Sequence, residues 1–433
     1  MFEKFARFIN AEGMAGPAFI MLVATVVGGG CNFLYQVMMA NLIPLDLAEL
    51  NTLLAILYIV TVPSSAVQNV IIRYVSKYNA LGEDNIVAWL MKRILKFTSI
   101  AGVALSIIVT VVLLVPGVGE TFAISSNLLI FLLAIGVFIS LVSPVGQGTL
   151  QALQRFTAFG TMTVGNFVLK LTLGVGMVVL GLGVAGALGG VIIGIAFSTA
   201  ISFFLVRRYF FIKPKVVEAK EIWRFTVPAT VAILGFTILT QVDVIIATAL
   251  LPLDQASYYA AASSLAKIIL FLPGAVSTVM FPKISKAHAE KGETHRILKT
   301  SFAMTLALSG AVVAVYLLLP DFVLNILLPA NPYKELIAPI LQGLGGAMML
   351  LGLANLFMLY GLATDGHAYI TIIGLSVVVL LSLVGAVVAL GIIFTPMILV
   401  EIMFVTGLFI IVLSGIYLLL IEREWRPRLL NGQ

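Results

Sequence analysis

Stretches in which nearly every position is apolar alternate along this chain with short breaks of Pro, Gly and charge. At ~1.5 Å rise per residue, a helix of about 20 apolar residues crosses a ~30 Å hydrocarbon layer. The breaks divide the chain into runs of that length at 15–40, 50–72, 97–115, 126–149, 157–181, 186–206, 225–250, 256–281, 300–319, 336–361, 368–390 and 397–420. These predict twelve transmembrane helices. A membrane barrel would instead show segments of about 10 residues with alternating outward and inward positions, and no such alternation is visible.

The charges supply an independent reading, because Lys and Arg near span ends collect on the cytoplasmic side. Counted against these spans, all but three of the 25 basic residues fall on one face. That face holds Lys4 and Arg7, then Arg73, Lys77, Lys92, Arg93 and Lys96, Arg155, and the connection 207–224 with Arg207, Arg208, Lys213, Lys215, Lys220 and Arg224. Lys283, Lys286, Lys291, Arg296 and Lys299 follow, with Arg423, Arg426 and Arg428 at the end. Lys334 alone marks the other face, and Lys170 and Lys267 lie inside spans. The segregation predicts a multi-pass protein of the plasma membrane with both termini in the cytoplasm.

Composition narrows the classes further. Hydrophobic residues make up 61% and charged residues 10%, against about 25% charged in soluble domains. The +6 net charge sits in juxtamembrane loops with few interleaved aromatics, which fits topology and anionic lipid headgroups and excludes nucleic acid as a partner. Cys31 is the only cysteine, so no intrachain disulfide can form. His288, His295 and His367 have no ligand sets or triad partners nearby in the sequence, and no cofactor or metal is expected. The N-terminus lacks a short apolar region followed by a small-residue cleavage site, and is read as retained.

The chain repeats. RILKFTSIAGVALSIIVTVVLLVPG at 93–117 aligns with RILKTSFAMTLALSGAVVAVYLLLPD at 296–321, and LIPLDLAEL at 42–50 with LLPLDQASY at 250–258. Pro17 and Pro228 open corresponding spans, and Pro63 falls near Pro273. This predicts an all-α membrane protein of two six-helix lobes, 1–206 and 225–433, joined by a basic cytoplasmic linker at 207–224. An even number of spans per lobe makes the repeats parallel, related by an axis along the membrane normal, and transporters of that build place their site between the halves.

Charges at depth are costly and usually face protein or a water-filled cavity. Lys170 falls near the middle of the fifth span and Lys267 near the middle of the eighth; Asp243 lies well inside the seventh and Glu401 just inside the twelfth. Asn32, Tyr35 and Gln36 in the first span, and Gln68, Asn69 and Arg73 in the second, are polar positions that would line the same space, or glue helices together. Gln147, Gln151 and Gln154 share a helical face and read as a wet stripe. Span-interior Pro63, Pro144, Pro273 and Pro339 predict kinks.

The region VDVIIATALLPLDQASYYAAASSLAKIILFLPGAVSTVMFPKISKAHAEKGE, preceded by KEIWRFTVPATV, resembles the signature of the polysaccharide and O-antigen flippases in the MOP (multidrug, oligosaccharidyl-lipid, polysaccharide) exporter superfamily. In that family an Asp near the end of the seventh span precedes an acidic turn, a Tyr-Ala segment and an FPKIS-like exit. The resemblance implies a MATE-like, two-lobe transporter, not an enzyme, that carries a polyprenyl diphosphate sugar to the outer leaflet by alternating access. It implies that Lys170 and Lys267, with Arg73 near the inner mouth, meet the anionic head. Asp243 and Glu401 are the acidic positions for a coupling cation, a proton or Na+. Membrane lipids and polysaccharide-assembly enzymes are the partners it suggests. The first span lacks the clustered Arg and Asp of lipid II flippases, having Asn32, Tyr35 and Gln36 instead, which argues against that substrate. The competing readings are a multidrug cation antiporter, which should carry an acidic and aromatic lumen, and a membrane polymerase or glycosyltransferase, which commonly needs a larger extramembrane part.

Overall fold

A computed structural model describes residues 15–216, 220–270, 294–364 and 368–430, together with positions 276, 280 and 284. Several sequence expectations lie outside those residues or on side chains not described: Lys4, Arg7, Pro17, Lys220, Arg224, Pro228, Pro273, Lys283, Lys286, Lys291, His288, His367, Arg423, Arg426, Arg428 and the FPKIS exit. The described residues are helical and contain no strand. The chain divides into two compact units, Met1–Thr230 and Val231–Gln433.

In the first unit α1 (Ala15–Leu42) ends at a Pro44–Asp46 corner before α2 (Leu47–Thr61). Pro63 then occupies the first turn of α3 (Pro63–Ala80), where its missing N–H is no loss, and the two helices meet at 41°. Next come α4 (Asp84–Leu114), α5 (Asn127–Ala152), α6 (Phe156–Met177), α7 (Gly183–Val206) and the single turn α8 (Arg208–Phe211). Between α6 and α7 no polar residue marks a break, and 156–206 is one continuous apolar stretch of 51 residues. The chain nevertheless reverses there, because Gly181 and Gly183 adopt φ of 89° and 50°, open to glycine and strained for other residues. Contacts confirm the hairpin: Gly186 approaches Met177, Gly190 approaches Gly174 and Gly194 approaches Asn166, so one helix descends as the other rises.

The second unit comprises α9 (Lys220–Leu250), α10 (Leu253–Ala266), a 3₁₀ turn at Lys267–Leu270, α11 (Thr294–Leu318), the short α12 (Pro320–Leu327), α13 (Lys334–Ala363), α14 (Ala368–Ala389) and α15 (Pro396–Leu430). The helix break at Leu251–Pro252 between α9 and α10 falls at the position matching the break at Ile43–Asp46, so the sequence repeat also places a helix break at the matching point.

Nine helices among the described residues are long and apolar enough to cross a membrane, ten when the bent pair α2–α3 counts as one. Dividing 156–206 into its two antiparallel helices adds one more. The remaining expected span, 256–281, begins as α10 and runs into residues outside the described set. The protein is a multi-pass membrane protein. Large side chains such as Ile100, Val111, Leu180, Val378 and Leu381 are left exposed, as a lipid-facing surface requires.

Within the basic connection 207–224, residues 207–216 are seated on the first unit and residues 220–224 open α9. Tyr209 is buried among Ile71, Val75, Val87, Trp89, Leu150 and Val206. Lys92 Nζ donates to the Ile212 carbonyl at 3.0 Å, and the Lys215 N–H to the Asn85 carbonyl at 3.1 Å.

Candidate functional sites, one in each unit

In the first unit, α6 carries Lys170 and α1 carries Asn32, Tyr35 and Gln36. Lys170 is 4% exposed. Its Nζ donates to Asn32 Oδ1 at 2.6 Å and stands 4.4 Å from the centroid of the Tyr35 ring. Among the described residues it makes no ion pair; a neutral carbonyl and a π face are its electrostatic partners. Tyr35 is held in turn, its hydroxyl donating to the Ala187 carbonyl of α7 at 3.0 Å. Glycines make this approach possible. A Cβ on Gly174 would stand 2.8 Å from the Tyr35 ring, and one on Gly190 would collide with Gly174 Cα while meeting the Lys170 carbonyl at 3.1 Å. One turn beyond Asn32, Gln36 Oε1 is buried with no hydrogen-bond partner among the described residues.

In the second unit, Lys267 and Asp243 form an ion pair at 3.0 Å. The carboxylate is fully buried, while the Lys267 side chain keeps 18% of its surface. Ser263 Oγ donates to the other carboxylate oxygen at 2.7 Å, and Gln241 Oε1 accepts from Lys267 at 3.4 Å. Ser263 and Lys267 are one turn apart on α10 and its 3₁₀ extension, so the helix presents both to α9. The change from α to 3₁₀ at Lys267 interrupts the regular ladder, and the Tyr316 hydroxyl of α11 donates to the Leu265 carbonyl at 3.0 Å.

The other sequence candidates are distributed more widely. Arg73 and Asn69 are exposed on α3 and Gln68 is half-buried. The Arg73 guanidinium lies 6.0 Å from the Tyr74 ring. Glu401 is exposed less than two turns into α15 and is not part of the Asp243 network. The glutamine stripe is not a unit: Gln147 donates to Ser143 at 2.6 Å and to Ser198 of α7 at 3.3 Å, tying α5 to α7, and Gln154 lies beyond the helix at φ 56°.

Sequence reasoning missed Ser263 and Gln241 as partners of the pair, and Gly174 and Gly190 as the residues that seat Lys170. The one-turn spacing of Ser263 and Lys267 was a usable signal. The glycines were not distinguishable from the other small residues of this glycine-rich region.

Residues 83–337 match the model of a family described as polysaccharide biosynthesis protein. No curated protein matches the chain. Among solved structures, an inward-facing multidrug resistance MATE family transporter of the MOP superfamily aligns with a TM-score of 0.70 at 16% identity, covering 94% of this chain and 99% of the other. The lipid II flippase MurJ, in an inward closed conformation, aligns at 0.69 and 14% identity over 93% of this chain and 87% of its own. A MOP superfamily transporter from Pyrococcus furiosus, described as having a binding pocket of reverse polarity, aligns at 0.57 and 17% identity over 93% and 94%. At these identities the likeness is one of fold.

Proposed function

The chain belongs to the polysaccharide biosynthesis protein family, whose model spans more than half of it, and from that premise we propose that it is a flippase for a lipid-linked oligosaccharide. The substrate is a polyprenyl diphosphate sugar, moved from the cytoplasmic to the outer leaflet of the plasma membrane by alternating access.

The observation that carries this reading is the contrast between buried Lys170 and partly buried Lys267. Lys267 has its counter-charge in Asp243, whereas among the described residues Lys170 has only Asn32 and Tyr35. An ammonium held out of water without an anion is costly, and an incoming diphosphate would lower that cost more than a neutral carbonyl does. Attraction in a poorly hydrated site is also stronger than at the surface. Asn32 then acts as the resting acceptor that the headgroup replaces. A cation exporter would call for the opposite arrangement, an unpaired buried carboxylate, and the buried Asp243 is already engaged by Lys267. A proton or Na+ coupled through Asp243 would have to open that pair first.

The test is outer-leaflet delivery of a fluorescent lipid-linked oligosaccharide by the purified protein in vesicles. Lys170→Ala is expected to abolish delivery and Lys170→Arg to retain part of it. Delivery at the unmodified rate in Lys170→Ala, or efflux of a cationic dye dependent on Asp243, would overturn the proposal.

A further inference from the structure

The seated part of the inter-unit connection ends in an unusual surface. Three aromatics follow one another there. Tyr209 is buried in the core at that end of the first unit, and Phe210 packs against Phe203 with ring centroids 6.0 Å apart. Phe211 is 86% exposed. The surrounding segment is fixed by the Lys92–Ile212 and Lys215–Asn85 hydrogen bonds and by Arg155 Nη1 donating to the Leu205 carbonyl at 3.1 Å. An exposed Phe on a segment tied down at this many points is a presented side chain.

Helix α4 gives the depth of this segment. Its exposed positions are polar or basic as far as Lys96 (Asn85, Arg93 and Lys96) and apolar from Phe97 onward through Ile100, Val103 and Ile107. The switch marks the level where headgroups give way to acyl chains. Lys92, which holds Ile212, lies about one turn outside that switch, so Phe211 stands at headgroup depth.

The charges around it are positive in excess. Arg208 faces Asp84 at 3.9 Å and Lys215 faces Glu83 at 3.5 Å, surface pairs that offset two of the cations. Arg207, stacked 4.3 Å from the Phe204 ring, and Lys213, Arg93 and Lys96 have no carboxylate partner among the described residues. Exposed Phe204 has Arg207 against its ring, and exposed Phe211 adjoins Ile212, which Lys92 holds one residue before Arg93 and one turn before Lys96.

We propose that residues 204–215, with Arg93 and Lys96, form a binding surface for anionic phospholipid. Phe204 and Phe211 enter the acyl boundary, and Arg207, Lys213, Arg93 and Lys96 take the phosphodiester headgroups. Amphipathic insertion combined with basic residues is the two-part signal by which interfacial segments hold anionic membranes. The proposal stands apart from the identity of the transported substrate.

A local probe tests it. In a Cys31→Ser background, the full-length protein carries Phe211→Cys labelled with an environment-sensitive fluorophore, reconstituted with brominated phosphatidylglycerol or brominated phosphatidylcholine. Leu180→Cys, in the apolar turn between α6 and α7 and 81% exposed, is the control position. Phosphatidylglycerol is expected to quench the label at 211 preferentially and the label at 180 without preference. Arg207→Gln and Lys213→Gln should each reduce the preference about fivefold, taking about 1 kcal/mol per surface charge. Raising salt on the protein with its basic residues intact should weaken the preference without any further substitution. Equal quenching by the two lipids at 211, a preference that survives loss of both charges, or the same preference at 180 would overturn the proposal. So would a label at 211 insensitive to either lipid, which would mean that an acidic protein or plain solvent covers the surface.

Discussion

Lys170 and Lys267 are alike in sequence, each a single cation within an apolar run, yet their surroundings predict opposite responses to neutralisation. Lys267→Met leaves the fully buried Asp243 carboxylate without its cation, a loss of about 3–5 kcal/mol for breaking one side of a buried pair. Thermal unfolding in detergent should show a clear drop, and adding Asp243→Asn should recover most of it. Lys170→Met removes a buried charge that has no ion-pair partner among the described residues, so the same assay should find its stability unchanged or raised. A marked loss of stability in Lys170→Met would mean that its charge is offset by something other than Asn32 and Tyr35. That two lysines sit at depth was legible in the sequence. Which of them is neutralised was not, because Asp243 reaches Lys267 across a helix-to-helix contact at a separation of 24 positions.

At the scale of elements, the α6–α7 hairpin is what delivers Tyr35 and Lys170 to each other. Gly190→Ala places a Cβ into the backbone of Gly174 and should cost about 1–3 kcal/mol by overpacking, read as a lower unfolding temperature. Gly176 lies on the same helix with open space around it, and Gly176→Ala should be neutral or stabilising by up to about 1 kcal/mol through helix propensity alone. Equal effects of the two changes would refute the close approach. The hairpin itself was anticipated as two spans, although the sequence between them offers only glycine to mark the reversal. The prolines divide by position: Pro63 starts a helix at a 41° bend, while Pro144 and Pro339 lie within helices. Proline chemistry announces an interruption, but whether it becomes a bend, a cap or a tolerated interior residue depends on what the neighbouring helices supply to the freed carbonyl.

For the whole molecule, the distribution of Lys and Arg predicts orientation. Lys213→Cys, in the Cys31→Ser background, should react with a membrane-impermeant thiol reagent only from the cytoplasmic side, and Lys334→Cys only from outside. Labelling of both from one side would overturn the topology and with it the direction of transport proposed above. Sequence alone determined that the chain is a helical membrane protein built from a repeat, because span length, apolar composition and loop charge respond to the bilayer before any helix meets another. It also located the residues whose burial demands an explanation. Only the tertiary structure decided what each of those residues touches. A partner such as Asn32 or Asp243 depends on the rotation of two helices about their axes and on glycines that bring them close, and neither is written in the periodicity of a chain that is apolar on every face.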